Sequence, residues 1–400
     1  MFSRDARVNA LIGTGHFLSH FYQLCLPPIF LVWQREFGVS FADLGLAPVV
    51  MSIMAAALQT PYGFLIDRYG ARTFLIVNTV VMSLAIALMG FATAYWQIVV
   101  LATISGAANA VYHPADYAIL TGSIAKERLG RAFAIHTFTG NAGMALAPPL
   151  VAVLLILVGW RGALMIVGLL GLPVAAAILW QSRILHDHVG GAKKTSGGLT
   201  VRGLLTDRTL VLFFLFYLLG SMASGGIQAW LITVLNQVKG IELALASTAL
   251  TAYMVGASSG VLIGGWTVDH FRTHVGVVVA GLTAFSAALI LLIALMPVVG
   301  AVAVALMFVS GTAMGASRTP RDIMLSEAAP PADIAKVFGF VSAGLPLGAA
   351  LTPVPFGYLM DHGGGNWVLV AIAAILAASI LCVGSARASA KAAASAAQAT

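Results

Sequence analysis

Charge is what this chain has least of. Asp, Glu, Lys and Arg make up only 9% of its 400 residues, while 60% are hydrophobic. A soluble domain carries about 25% charged residues. So few charges cannot cover a water-facing surface, so the exterior must face something apolar, of which lipid is the simplest candidate. Cysteine is nearly absent too. Cys25 and Cys382 lie inside apolar runs and give neither a disulfide framework nor metal-ligand spacing, which leaves them as small buried apolar side chains. A phosphate-cradling Gly-x-x-x-x-Gly-Lys-Ser/Thr loop is missing, which argues against work driven directly by ATP. No nucleophile, metal cluster or paired carboxylates stand out, so neither an enzyme nor a cofactor is expected. Nor is there a basic stripe. The net charge of +7 is dispersed among loops, which excludes nucleic acid as a partner.

What is present is a series of apolar runs. A spanning helix needs about 20 apolar residues. Cut at charges and turn residues, the runs predict twelve spans, near 9–33, 44–66, 73–92, 96–120, 132–157, 162–182, 209–235, 245–268, 275–296, 299–323, 335–359 and 366–386. Arg4 and Arg7 ahead of the first run mimic a secretory signal. The run continues to Trp33, however, is broken by His16, His20 and Pro27-Pro28, and has no small-residue cleavage site, so it reads as a retained first helix. The longest polar stretch separates spans six and seven. The expected domains are therefore an N-terminal six-helix half at 1–182, a cytoplasmic linker at 183–208, a C-terminal half at 209–386 and a disordered Ala/Ser-rich tail at 387–400.

Orientation follows from the bias of Lys and Arg toward the cytoplasm. Of the 21 such residues, all but Arg35, Arg161 and Lys239, and the pair Arg318 and Arg321 in span ten, fall on one side. Both termini and the linker are therefore expected in the cytoplasm.

The halves repeat. At an offset of 205 residues Ser105-Gly106 falls on Ser310-Gly311, Leu120 on Leu325, Phe133 on Phe338, Gly143 on Gly348 and Pro148 on Pro353, with no gap. A second echo pairs the stretch Gly63-Phe-Leu-Ile-Asp67-Arg68-Tyr-Gly70-Ala-Arg72 with Gly265-Trp-Thr-Val-Asp269-His270-Phe-Arg272. Parallel six-helix repeats are a recurrent plan of secondary transporters.

The stretch from Gly63 to Arg72 resembles the signature loop of the major facilitator superfamily, and its weaker copy sits where that family keeps one. The resemblance covers essentially the whole chain. It implies an all-α membrane protein of twelve transmembrane helices in two pseudo-symmetric six-helix halves. The implied function is secondary active transport of a small organic solute, an organic anion or drug-like compound, by alternating access and coupled to protons. The implied partners are a small-molecule substrate, protons and the lipid bilayer, and the implied setting is a monomer in a bacterial inner membrane. The His-rich first span and Tyr112-His113-Pro114 look like the fosmidomycin-resistance efflux branch. The alternative is a receptor or assembly protein that kept the fold and lost transport.

By resemblance Asp67, with Arg68, Arg72 and Asp269, latches the halves at the cytoplasmic side; otherwise these are loop charges. Gly140, Gly143, Pro148 and Pro149 resemble the Gly/Pro-rich antiporter motif of span five, but its Gly-Pro-x-x-Gly-Gly ending is absent. The Arg that drug–proton antiporters carry early in span four is also missing from Leu101-Ala-Thr-Ile-Ser-Gly106. That branch's coupling mechanism therefore does not transfer.

The remaining candidates are polar groups inside spans, where charge is costly and usually faces a cavity or a partner. His113 and Arg318 are repeat-mates. Arg318 keeps its proton, so it needs an anion: Asp322, Asp116 or a substrate. His113 and Asp116 are three apart, on one helix face, which suits a proton relay or a neutralised helix end. His16 and His20 share a face of span one, near Gln23. They read as cavity lining, proton coupling, polar packing, or a metal site for which no third ligand is apparent. His136 and Asn141 in span five are cavity or packing residues.

Overall fold

The computed structural model describes residues 3–125, 128–186, 201–270, 274–328, 337 and 340–398. These divide into two compact units, Met1–Ala192 and Lys193–Thr400. The first holds α1 (Arg4–Leu24), α2 (Phe30–Phe37), α3 (Phe41–Leu44), α4 (Leu46–Tyr69), α5 (Ala71–Met89), α6 (Tyr95–Asn109), α7 (Tyr112–Ser123), α8 (Leu129–Leu169) and α9 (Gly171–Trp180). The second holds α10 (Val201–Thr206), α11 (Arg208–Gln237), α12 (Leu243–His270), α13 (Val275–Leu295), α14 (Gly300–Ala328), α15 (Gly344–Leu351), α16 (Pro353–Asp361) and α17 (Gly365–Gln398). No strand occurs among the described residues. This is what lipid requires of an open chain, because only a helix satisfies its own backbone polar groups there.

Ten helical segments of the described chain are long and apolar enough to cross a bilayer. One of them, Ile135–Trp180, has 46 residues and makes two crossings. The break is Gly159, at φ 70° and ψ 173°, a conformation that glycine adopts without a Cβ penalty. The first span, α1, falls outside those ten because its His, Asn and Gln residues dilute its apolarity. With α1 and the doubled segment, the architecture is the expected twelve-helix one.

Two local features explain sequence signals. Gly70 ends α4 and precedes α5 at φ 87°, so the glycine after Asp67-Arg68 is the hinge between spans two and three. Within span four the helix is interrupted between Asn109 and Tyr112, just before Pro114, which has no N–H to continue the ladder. The Ala-rich segment after Arg387 continues α17 to Gln398 rather than losing structure, in keeping with alanine's high helix propensity. Most of the linker, 187–200, lies outside the described residues.

The internal repeat is visible as reproduced contacts. Gly106 of α6 lies against the backbone of Met51 in α4, and Gly311 of α14 lies against the backbone of Tyr253 in α12. Gly143 of α8 abuts the carbonyl of Phe17 in α1, and Gly348 of α15 abuts that of Leu218 in α11. A Cβ at any of these glycines would collide with the partner backbone, so each half uses the same small-residue contacts to bring its helices together.

Candidate functional site

In the N-terminal unit, three helices bring five polar side chains together. α1 contributes His16 and His20, one turn apart and on one face. α7 contributes His113 and Asp116, and α8 contributes His136. The rings of His16 and His136 stack, with centroids 3.5 Å apart and planes 9° from parallel. His20 and His113 lie edge-on to His16, at 4.6 and 5.3 Å between centroids. Gly140 makes this close packing possible, since a Cβ there would stand 2.7 Å from both the His16 and His20 rings.

The hydrogen bonds fix where protons sit. His16 Nδ1 lies 2.9 Å from the His136 carbonyl. A carbonyl only accepts, so Nδ1 carries the hydrogen, and in the neutral ring Nε2 is then a lone pair. His20 Nε2 donates to that lone pair at 3.1 Å. This leaves His20 Nδ1 as an acceptor, buried and without a partner among the described residues. His136 Nε2 lies 3.0 Å from Asp116 Oδ2, the residues being 3% and 0% exposed, while Asp116 Oδ1 has no partner there.

Two expectations need correction. Asp116 pairs with His136 from α8, not with its own helix neighbour His113, because α8 packs an imidazole against Asp116 that residue spacing along α7 cannot reveal. The His16–His20 pair does have a third neighbour of ligating type. One ligand atom each from His16, His20 and His113 lie within 4.8 Å of one another, as do those of His16, Asp116 and His136. Gln23 caps its own turn, donating to the Ser19 carbonyl at 3.4 Å. Asn141 is half-buried on α8, next to Gly140.

The C-terminal unit has a corresponding site of different chemistry. Arg321 bonds Asp322 Oδ1 through Nε and an Nη, both at 2.9 Å, and Tyr217 from α11 donates to the same oxygen at 2.5 Å. Asp322 therefore bonds Arg321 directly and, with Tyr253, attracts Arg318 only at longer range. Arg318 makes no ion pair among the described residues. It lies ten residues before the end of α14, roughly 15 Å along the axis at 1.5 Å per residue, and five residues before the predicted end of span ten at 323. The repeat offsets tie the sites together. His113 and Asp116 fall on Arg318 and Arg321, and His16 falls on Tyr217 in the register that brings Phe17 onto Leu218.

Of the gating candidates, Arg72 is exposed, and its guanidinium donates to the Ser182 carbonyl at 3.4 Å, tying the start of α5 to the turn after α9 within its own unit. Arg68 lies over the Tyr69 ring at 5.2 Å. The side chains of Asp67 and Asp269 lie outside the described set.

The sequence profile of the Major Facilitator Superfamily matches residues 12–250 and 217–399. The chain belongs to the major facilitator superfamily. It is 27% identical to the membrane sensor protein UhpC of Escherichia coli over 86% of this chain and 83% of that one. It is 25% identical to a probable L-galactonate transporter of the same organism over 60% and 56% of the two chains, and 24% identical to its fosmidomycin resistance protein over 64% and 63%. Its fold matches an inward-facing, occupied bacterial homologue of the lysosomal transporter Spinster with TM-score 0.78, 14% identity and 98% and 97% coverage. A superfamily member of this kind is a multi-pass membrane protein, and membership places the chain among transporters rather than enzymes. The resemblance seen in the signature loop and the repeat is thereby established for the whole chain. Sequence reasoning missed Tyr217 and the pairing role of Arg321. The sequence carried no such signal, since the offset of 205 puts His16 on Ser221, and Tyr217 takes that place only in the register of the Phe17 and Leu218 contacts.

Proposed function

We propose that this superfamily member is a secondary active transporter of a small organic anion, working by alternating access, with Arg318 as the residue that binds the anion. One observation carries the reading. Arg318 is half-buried inside a spanning helix and makes no direct ion pair among the described residues, because its nearest carboxylate, Asp322, is bonded by Arg321 and Tyr217 and attracts Arg318 only at longer range. A guanidinium without a direct ion pair inside a span is costly, up to about 3 kcal/mol, and an anionic substrate bonded to it lowers that cost. The similarity to a probable L-galactonate transporter supports a carboxylate as the ligand. The chain is a monomer in a bacterial inner membrane in this reading, with both termini cytoplasmic and Asp67, Arg68, Arg72 and Asp269 at the cytoplasmic gate.

Transport is driven by an ion gradient, with the proton as coupling ion. The test is a thermal-shift screen of purified protein against sugar acids, sulfonates, neutral sugars and cationic drugs, followed by vesicle uptake of any hit. A ligand at 100 times its dissociation constant stabilises the native state by about 2.7 kcal/mol. Stabilisation by anions alone, with uptake that follows an imposed pH gradient, is the expected result. Stabilisation by neutral sugars or cations alone would reject Arg318 as the selector, and uptake that follows sodium would reject the proton.

A second reading is favoured by the likeness to a membrane sensor protein over 83% of its length. In it the chain binds the same anion but reports rather than transports. Binding without uptake under any imposed gradient would select that reading.

A further inference from the structure

We infer that His16, His20 and His113 form a binding site for a borderline divalent transition-metal cation, of which Zn²⁺ is the representative. The inference is independent of the anion reading, since it concerns side chains of the N-terminal unit alone.

Three features favour a metal over simple polar packing. The first is spacing. His16 Nε2 and His20 Nε2 are 3.1 Å apart, and two nitrogens on one tetrahedral Zn²⁺ at 2.0–2.1 Å stand about 3.3 Å apart. The existing hydrogen bond thus already holds them at close to the separation that one cation imposes. His113 is the third member, since one ring nitrogen from each of His16, His20 and His113 lies within 4.8 Å of the other two.

The second is the outer shell. A metal-bound imidazole usually donates its other ring N–H to a carbonyl or carboxylate, which fixes tautomer and orientation. His16 has this already, with Nδ1–H on the His136 carbonyl and Nε2 facing His20. His136, stacked on His16 and held by Asp116, braces the ring from behind.

The third is uncommitted ligand capacity. His113 makes no hydrogen bond among the described residues, so a ring nitrogen is free to turn to a cation. When the cation takes His20 Nε2, the ring hydrogen moves to Nδ1, so no proton is lost overall, and the outer shell is complete at His16 but has no acceptor for His20 Nδ1–H among the described residues. Three imidazoles and no carboxylate suit Zn²⁺, Co²⁺, Ni²⁺ or Cu²⁺ and disfavour Mg²⁺ and Ca²⁺. Three protein ligands leave a fourth position for water or an exchangeable anion.

The test is titration of the purified full chain, freed of any polyhistidine tag, with ZnCl₂ by calorimetry and with CoCl₂ by visible absorption. The expected result is one equivalent of Zn²⁺ per chain, displacing Co²⁺ that shows tetrahedral bands, with no heat from MgCl₂. His20→Gln and His113→Gln should each weaken binding at least ~10-fold. They should leave thermal unfolding of the metal-free protein in place, since His20 and His113 are only half-buried. His362→Gln, at an exposed histidine of the C-terminal unit, should change nothing. Absence of saturable binding overturns the inference. So does Zn²⁺ affinity that is untouched in the His20→Gln,His113→Gln double variant, or affinity that His362→Gln abolishes.

Discussion

Arg321 lies over the ring of Tyr217, its guanidinium carbon 3.8 Å from the centroid, and both residues close on one oxygen of Asp322. This arrangement decides how the basic pair in span ten is divided. Arg321 directly contacts a carboxylate and an aromatic face, and Arg318 makes neither direct contact among the described residues. The first prediction is a coupling experiment. Arg321→Gln and Asp322→Asn, alone and together, should show an interaction of roughly 1 kcal/mol, the scale of a partly exposed ion pair. Arg318→Gln with Asp322→Asn should be close to additive. Thermal unfolding in detergent reads both cycles, and a larger coupling for Arg318 would reassign the carboxylate.

Glycine substitutions separate signature from packing. Gly143→Ala places a methyl against the Phe17 carbonyl, so α1 and α8 must separate. A loss of about 1–3 kcal/mol is the scale of overpacking, and the melting temperature should fall clearly. Gly63→Ala, in the signature loop, meets nothing within 4 Å and should melt like the parent. Equal melting of the two variants would remove the close helix contact from the account.

The fold was legible for plain physical reasons. Apolar run length, Lys and Arg placement and a gap-free repeat are properties of the chain itself, and each maps directly onto a span or a contact. The site was legible only in part. His16, His20, His113, His136, Asp116, Arg318 and Asp322 all emerged as polar residues in an apolar setting, but their partners did not. Spacing along one helix suggested His113 with Asp116 and Arg318 with Asp322. The structure pairs Asp116 with His136 of another helix, a contact that no i, i+3 or i, i+4 rule encodes, and pairs Asp322 with its chain neighbour Arg321, where Tyr217 of α11 joins them. Gly159 shows the same limit, since the sequence placed a span boundary there while the turn itself depends on a backbone angle.

Orientation gives the third prediction. Gly240 turns the chain between α11 and α12 at φ 66°, and Lys239 just before it donates to the Ala294 carbonyl at 2.7 Å. A reporter inserted after Gly240 should be external, and one fused ahead of Arg4 cytoplasmic. Protease or thiol-reagent accessibility in sealed spheroplasts and inverted vesicles reads both. The reverse pattern would show that the positive-inside bias fails for this chain.

The last prediction concerns the geometry of anion capture. If Arg318 binds a carboxylate, it does so with a planar fork of donors, which lysine lacks even though it keeps the charge. Hydrogen bonds to charged groups contribute about 1.5–3 kcal/mol each, or roughly 10- to 100-fold in affinity. Arg318→Lys should therefore bind the anion more weakly by about that factor, and Arg318→Gln should abolish binding. Arg321→Gln should be milder, because Arg321 is occupied by Asp322 and Tyr217. Equilibrium binding of a radiolabelled hit from the ligand screen measures all three. Should Arg321→Gln be the more damaging change, the anion would belong to the Tyr217–Arg321–Asp322 group, and Arg318 would be a structural charge of span ten.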